Sequence, residues 1–343
     1  MSVADRGRSR PPVMTDVAQL AGVSHQTVSR VLNEHPNVRP QTRELVLAAI
    51  SELGYRPNAA ARTLVTRRTH TLGVISFDTT LYGPASMLYG IERAAQDNYF
   101  VSIASTPTLD RRSVLDSVER FVGQGVEGII VITAQVSAVE ALTDCPSDIP
   151  LVAVGCRAAP PVHSVAVDNA GGAALATRHL LGLGHRTVHH LSGPRTWLDA
   201  EARVVGWQEA LRDAGAAEPD LLSGDWSAAS GYEMGQQIAR DASVTAVLCA
   251  NDHMALGLVR ALSEHGRRVP EDVSVVGFDD VPEAAYFLPP LTTVRQDFGE
   301  LGRRALDSLV RLIFDRDAAA PADPVVPEFV VRSSAAPPAP PAA

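Results

Sequence analysis

Between residues 13 and 54, apolar positions recur at helical spacing in three short blocks. Val13, Val17, Leu20 and Val23 form the first, with Thr15 placed to cap a helix of about six residues and Gly22 to end it. Ser24 caps a second helix, in which Val28, Val31 and Leu32 face inward while His25, Gln26, Ser29 and Arg30 face outward. The stretch from Asn33 to Pro40 interrupts the pattern. A third helix is expected from about Gln41 to Leu53, with Val46, Ala49, Ile50 and Leu53 on its apolar face and Gly54 stopping it. Helix, three-residue turn, helix and supporting helix is the order of a helix-turn-helix unit.

From Thr71 the pattern changes to short apolar runs alternating with amphipathic ones. Strands are expected at Leu72–Phe77, Phe100–Ala104, Gly128–Ile132, Leu151–Val154, His163–Val167, Val188–Ser192, Ala246–Cys249 and Val273–Phe278. Helices are expected near 86–97, 111–123, 169–182, 200–213, 227–240, 252–265 and 298–313. Buried strands alternating with helices predict parallel, doubly wound sheets covered on both faces. The stretch is long enough for two such lobes, split near residue 160 and again near 290. Val325–Val331 reads as an edge strand, and 315–324 as a loop.

The expected organisation is therefore a disordered basic arm over 1–12, a helix-turn-helix domain over 13–56, and a linker with a marginal helix over 57–70. A two-lobed α/β core over 71–332 and a disordered Ala/Pro tail over 333–343 follow. Residues 58–66, NAAARTLVT, have helical propensity but little to bury, so a helix there depends on a partner.

Charge sharpens the division. Residues 1–68 carry ten arginines against five acids, net +5, and the remaining 275 carry twenty against thirty-four, net -14. A basic head on an acidic body points to an anionic partner for the head alone. Lysine is absent, so every fixed side-chain cation is a guanidinium. Cys145, Cys156 and Cys249 form no complete disulfide framework and show no CxxC spacing, which suits a reducing compartment. The start MSVADRGRSRPP lacks the apolar run of a secretory signal, and no apolar stretch reaches the roughly 18 residues of a membrane span. The expected location is the cytoplasm, in association with the nucleoid, with no membrane partner.

On the second helix Gln26 and Arg30 stand one turn apart on the exposed side. Glutamine pairs bidentately with adenine and arginine with guanine. Ser24, Thr27 and Ser29, with the amides at helix starts, can hold phosphates and fix register. The alternative is a small three-helix bundle that packs on the large domain. The sequence MTDVAQLAGVSHQTVSRVLNEHPNVRPQTRELVLAAISELGYRPNAAARTL resembles the headpiece of the LacI/GalR family of bacterial repressors, and the likeness continues to about residue 333. The resemblance implies that the second helix enters the major groove with His25, Gln26 and Arg30 reading bases. It implies backbone contacts at Tyr55 and Asn58, and a hinge helix that pairs with its twin through Ala61 and wedges Leu64 into the minor groove. It further implies a homodimer on palindromic double-stranded operator DNA. The leucine-heptad tail by which one family member forms tetramers has no counterpart in this chain.

In open parallel sheets, ligands sit beyond the carboxyl ends of strands, here in the cleft between lobes. Asn251 and Asp252 follow AVLCA, Asp279 and Asp280 follow SVVGF, and Arg203 lies on the helix after SGPRTWLDA. Such groups grip adjacent hydroxyls, and Trp226 or Phe298 can cover a sugar's apolar face. Asn251 and Asp279 have a plainer reading as helix caps, and Trp226 one as interlobe packing. The large domain also resembles periplasmic sugar-binding proteins. Family resemblance implies effector contacts at Arg203, Trp226, Asn251, Asp279, Gln296 and Phe298, and Pro84 falls in a loop joining pocket and subunit interface. One departure stands out: where a family member carries a pocket aspartate, this chain has Gly155, Cys156 and Arg157.

No GxGxxG follows the first strand and no GxSxG elbow is present, so neither dinucleotide nor hydrolase chemistry is expected. His189 and His190 fall on opposite faces of a strand and cannot jointly ligate zinc. The expectation is a non-enzymatic, cofactor-free and metal-free repressor released by a small sugar effector, a galactoside or related saccharide. A corepressor-dependent regulator and a pure sugar-binding protein are the alternatives.

Overall fold

The computed structural model describes residues 12–32, 35–55, 68–106, 108, 110–132, 135–143, 145, 148–157, 162–319 and 323–339. The chain divides into two compact units, Met1–Thr69 and His70–Ala343.

In the first unit, α1 (Met14–Ala21), α2 (His25–Leu32) and α3 (Pro40–Leu53) close around Val17, Ala18, Val28, Val31, Val46 and Ala49. Helix α1 starts earlier than the Thr15 cap implies. The backbone N–H of Val13 donates to Asp16 Oδ2 at 2.9 Å, so the side chain of Asp16 rather than that of Thr15 fixes the start. Gly22 and Gly54 take left-handed φ of +66° and +61° and end α1 and α3, as a residue without a Cβ does most readily. Ser24 Oγ accepts from the Thr27 amide at 3.2 Å and so caps α2. Leu20 departs from expectation: it is 45% exposed rather than part of the apolar face.

The second unit holds two sheets among the described residues. One has the order β2-β1-β3-β4-β5, from β1 (Thr71–Phe77), β2 (Phe100–Thr106), β3 (Gly128–Ile132), β4 (Leu151–Val154) and β5 (His163–Val165). The other contains β6 (His189–Ser192), β7 (Leu222–Ser223), β8 (Ala246–Cys249), β9 (Ser274–Asp279), β10 (Thr292–Arg295) and β11 (Glu328–Val330), ordered β11-β10-β9-β8-β6-β7. All pairings are parallel except β10 with β11.

Period-two alternation sorts the strand residues between the helical layers. In β3, Ile129 and Val131 join Val118 and Phe121 of α5 (Arg111–Gln124) and Ala138 of α6 (Val136–Thr143). Ile130 and Ile132 face Met87 and Ile91 of α4 (Tyr82–Ala95) and Leu301 and Leu309 of α11 (Phe298–Phe314). In the second sheet, Ala246 and Leu248 meet α7 (Asn169–Gly182) and α8 (Leu198–Asp213), while Val247 and Cys249 meet α9 (Ala228–Arg240) and α10 (Asp252–Glu264).

The chain crosses between lobes three times, not twice. It leaves the first sheet after β5, returns after β10 so that α11 covers the first lobe, and crosses again at Val325. There Val325 N donates to Ala166 O at 2.8 Å and Asp168 N donates to Val325 O at 2.9 Å, so two crossing segments are bonded side by side.

The tail differs from expectation. Ser334 is fully buried; its backbone O accepts from Val275 N and its Oγ accepts from Thr292 N, both at 2.8 Å. His185 Nε2 lies 3.0 Å from Ala336 O. A composition poor in large apolar groups is held instead by backbone groups left over at the sheet, which require partners once buried.

Candidate functional site

The outward face of α2 presents His25, Gln26 and Arg30 to solvent, with Thr27 and Ser29 partly covered. The hydroxyls of Ser24 and Thr27 lie 2.9 Å apart at the helix start, where the amides carry the positive end of the helix dipole. Tyr55 is 8% exposed and belongs to the three-helix core. Asn58, Ala61 and Leu64 lie outside the described residues.

In the large unit the carboxyl ends of strands from both sheets converge on a cavity of about 250 Å³. Arg203, Trp226, Asn251, Asp279 and Gln296 line it. Phe298 does not. It packs in the first lobe's core, edge-on to Tyr82 at 5.9 Å between centroids, and Tyr82 is the aromatic that reaches the cavity there.

Arg203 is the hub. It sits one turn into α8 and is 4% exposed. Its Nε donates to Asn169 Oδ1 at 2.8 Å and its Nη1 donates to Ala250 O. Arg203 Cζ lies 3.9 Å from the Phe278 ring centroid, and Nη2 is 3.7 Å from Asp279 Oδ1. That separation is an ion pair without a direct hydrogen bond, which leaves room for a ligand hydroxyl on the same edge. Gln296 Nε2 donates to Asp279 Oδ1 at 2.6 Å. Burial pushes the Asp279 carboxyl up to about 6 against the opposing pull of Arg203 and Gln296.

Asn251 takes the capping role. Its Oδ1 accepts from Met254 N at 2.8 Å and its Nδ2 donates to Trp226 O at 3.0 Å, so it starts α10 and anchors the tryptophan together. Trp226 stands at φ +76°, and a Cβ on Gly193 would overlap its ring. Trp197 meets it edge-on at 5.4 Å. Asp279 at φ +108° and Asp280 at +55° complete a cluster of non-glycine positive-φ residues. Each such residue costs of order 1–3 kcal/mol and persists where the surroundings over-determine it.

Neighbouring acids take other parts. Asp252 is fully buried, accepts from Val281 N at 2.8 Å and Thr293 Oγ1 at 2.6 Å, and its pKa is raised by burial. Asp280 pairs with Arg295 and Arg332, each at 2.7 Å, outside the cavity lining. His190 is buried and pushed down to about 4 by burial, with Nδ1 2.9 Å from Leu248 O; His189 across the strand is half-buried. Among the described residues no group of three or more His, Cys, Asp or Glu is placed to hold a metal, and no helix is long and apolar enough to cross a membrane.

Sequence reading missed Tyr82, Trp197, Asp199 and His253 in the lining. Asp199 precedes Arg203 by four residues on α8, a spacing that places both on one face and was legible in the sequence. Burial pushes the Asp199 carboxyl up to about 7, Arg203 opposing.

Residues 13–58 match the family described as bacterial regulatory proteins, lacI family, and residues 177–335 match a periplasmic binding protein-like domain. The lactose operon repressor of Escherichia coli (strain K12) is 36% identical over 309 residues, covering 88% of this chain and 85% of that one. The structure of a lac repressor dimer bound to operator and the anti-inducer ONPF superposes with a TM-score of 0.86 at 33% identity, covering 95% of this chain and 100% of the other. A complex of the transcriptional regulator CelR with cellobiose gives a TM-score of 0.70 at 31% identity, covering 94% and 99%.

Proposed function

The chain belongs to the LacI family of bacterial regulatory proteins, and from that membership we propose that it is a repressor that binds a palindromic operator as a homodimer and is released by a small sugar. The observation that carries the effector half is the cavity itself. A guanidinium, a carboxylate and a carboxamide meet at Arg203, Asp279 and Gln296 beside the rings of Trp226 and Trp197. Paired polar groups against aromatic faces suit a polyhydroxyl ring with one apolar side. The DNA half rests on the exposed His25, Gln26 and Arg30 of α2 and on the basic excess of residues 1–68.

Linkage supplies the mechanism. A sugar that favours one arrangement of the lobes shifts the population toward it, and with it the spacing at which two heads meet one duplex. Operator DNA then alters sugar affinity by the same factor. A galactoside or related saccharide is the favoured effector class.

The test is fluorescence anisotropy of the full-length protein on a palindromic duplex from the DNA adjoining its own gene, across salt concentrations and a panel of sugars. We expect dimer binding that weakens steeply with salt and is reversed by at least one sugar. Monomeric binding, or affinity equal to that for random duplex, overturns the DNA half. Affinity unmoved by every sugar overturns the effector half, and affinity raised by a sugar reverses its sign to corepression.

A further inference from the structure

His185 lies in the loop between α7 and β6 and is buried, and neither the sugar site nor the DNA-facing helix uses it. Its ring is engaged at both nitrogens. Nδ1 is 2.9 Å from Thr245 Oγ1, on the approach to β8. Nε2 is 3.0 Å from Ala336 O in the carboxyl-terminal tail and 3.1 Å from Oγ of Ser274, the first residue of β9. Chemistry fixes the protons. A carbonyl oxygen only accepts, so Nε2 carries the hydrogen, and Nδ1 offers a lone pair to the Thr245 hydroxyl. The neutral imidazole thus meets each partner with the group that partner needs.

The tail is held residue by residue along the base of the second sheet. Ser333 N donates to Pro290 O at 3.0 Å, and Ser334 bonds Val275 and Thr292. Ala336 N donates to Ser274 Oγ at 3.0 Å, and Ser274 Oγ donates to Ala336 O at 2.9 Å. Pro337 and Pro338 follow and have no N–H to give. Ala336 carries the last amide before that gap, so fraying from the end meets the imidazole early. Pro338 lies beside Gly184, where a Cβ would stand 3.8 Å from the proline Cδ.

A second proton, on Nδ1, breaks this fit. It sets an N–H against the Thr245 hydroxyl hydrogen, which must turn away, and it buries a positive charge. Thr245, Ser274 and Ala336 face the ring from the approach to β8, from β9 and from the tail, and none of them is charged. Arg186, next in the chain, is exposed and of the same sign. Burial holds the imidazole below its ordinary 6.5, against the pull of Ala336 O. Once the tail lifts, water reaches the ring and the ordinary value returns.

We propose that His185 is an acid-sensitive catch for residues 333–339: the neutral ring holds the tail against the amino ends of β9 and β10, and protonation releases it. The sign follows from linkage. The closed form binds the proton less readily than the open one, so closure is complete above about pH 6.5 and is lost as pH falls toward and through the closed-form value. Ser274 begins the strand that ends in Asp279, so release frees the base of a strand that serves the cavity. The catch acts whether or not sugar or operator is bound.

The experiment is hydrogen–deuterium exchange of the full-length protein between pH 7.5 and 5.5. It is read by mass spectrometry on the peptide spanning 333–339, with the chemical exchange rate divided out. We expect the opening constant to rise about three- to ten-fold over that interval, ten-fold being about the limit for one proton taken up at 6.5. The peptide containing Ile129–Ile132 of β3 should show no such rise. His185→Gln, which keeps a donor for Ala336 O and does not titrate, should flatten the profile. A flat wild-type profile overturns the proposal, with or without a folded variant. An equal rise in folded His185→Gln also overturns it, because the titrating group then lies elsewhere.

Discussion

Replacing Asp199 with asparagine tests the electrostatics of the cleft without ligand or DNA. The wild-type carboxyl titrates at about 7 in the folded chain against an ordinary 3.8, because burial penalises its charge more than Arg203 rewards it. A raised folded pKa means that the native state holds the proton longer than the unfolded state does. Its stabilising contribution is therefore complete below pH 3.8 and is lost as pH rises toward and through 7. Three pKa units at 1.36 kcal/mol each set a ceiling of about 4 kcal/mol. Asp199 keeps an edge on the cavity, so water there screens part of this and about 2–4 kcal/mol is expected. Asparagine keeps the shape and an acceptor for Asn169 but does not titrate. Urea denaturation followed by tryptophan fluorescence at pH 5, 6, 7 and 8 gives the difference in stability between variant and wild type. It should grow in the variant's favour by about 1–2.5 kcal/mol across that range, since more than one of the three units is already spent below pH 5, with most of the change between pH 5 and 7. A difference that stays constant to within about 0.5 kcal/mol would refute the assignment, because it would mean the carboxyl is already ionised at pH 5 in both states.

Other expectations follow from single contacts. Gly302→Ala drives a Cβ into the backbone of Gly90 where α4 and α11 cross, and should cost roughly 1–3 kcal/mol, read as a lower midpoint in urea with unchanged m-value. Ser334→Ala leaves the buried Thr292 N–H without its acceptor and should cost about 1–3 kcal/mol in the same assay; an unchanged midpoint would show that the tail does not bear on the sheet. Arg30→Ala should lower operator affinity by about 1–3 kcal/mol and relax preference at one base pair, whereas an equal loss on random duplex would make Arg30 a phosphate contact.

The repeating strand–helix pattern was readable wherever an element was long and strongly periodic. β1, β3 and β8 were expected within a residue of where they lie, because strands buried on both faces are continuous apolar runs. Helix α4 was expected from 86 but begins at Tyr82, since Gly83-Pro84 reads as a loop although proline is tolerated in a first helical turn. That offset removed Tyr82 from the expected site. Placing the start of α8 at 200 rather than Leu198 hid Asp199 in the same way. Helix α6 and strand β10 are short, and each is fixed by tertiary packing more than by its own pattern. In the cleft, Asn251 and Asp279 were accessible to sequence because strand ends mark the rim, and Arg203 because it lies on the helix after the next loop, whereas Gln296 was reached only through the family resemblance. That Phe298 sits behind Tyr82 depends on the third layer, α11 against α4, to which no single-chain periodicity speaks.

Because the polypeptide threads back and forth, neither lobe is a contiguous stretch of sequence. The inner surface offered by Leu72, Val74 and Ile130 is closed only when Leu301, Ala305 and Leu309 arrive, more than 150 residues after Ile130 has been synthesised. On a ribosome the amino-terminal half must therefore wait, sticky side bare, until almost the whole protein has emerged. Truncated translation products would inherit that bare side for good, and their rescue or disposal would fall to chaperones and proteases rather than to folding.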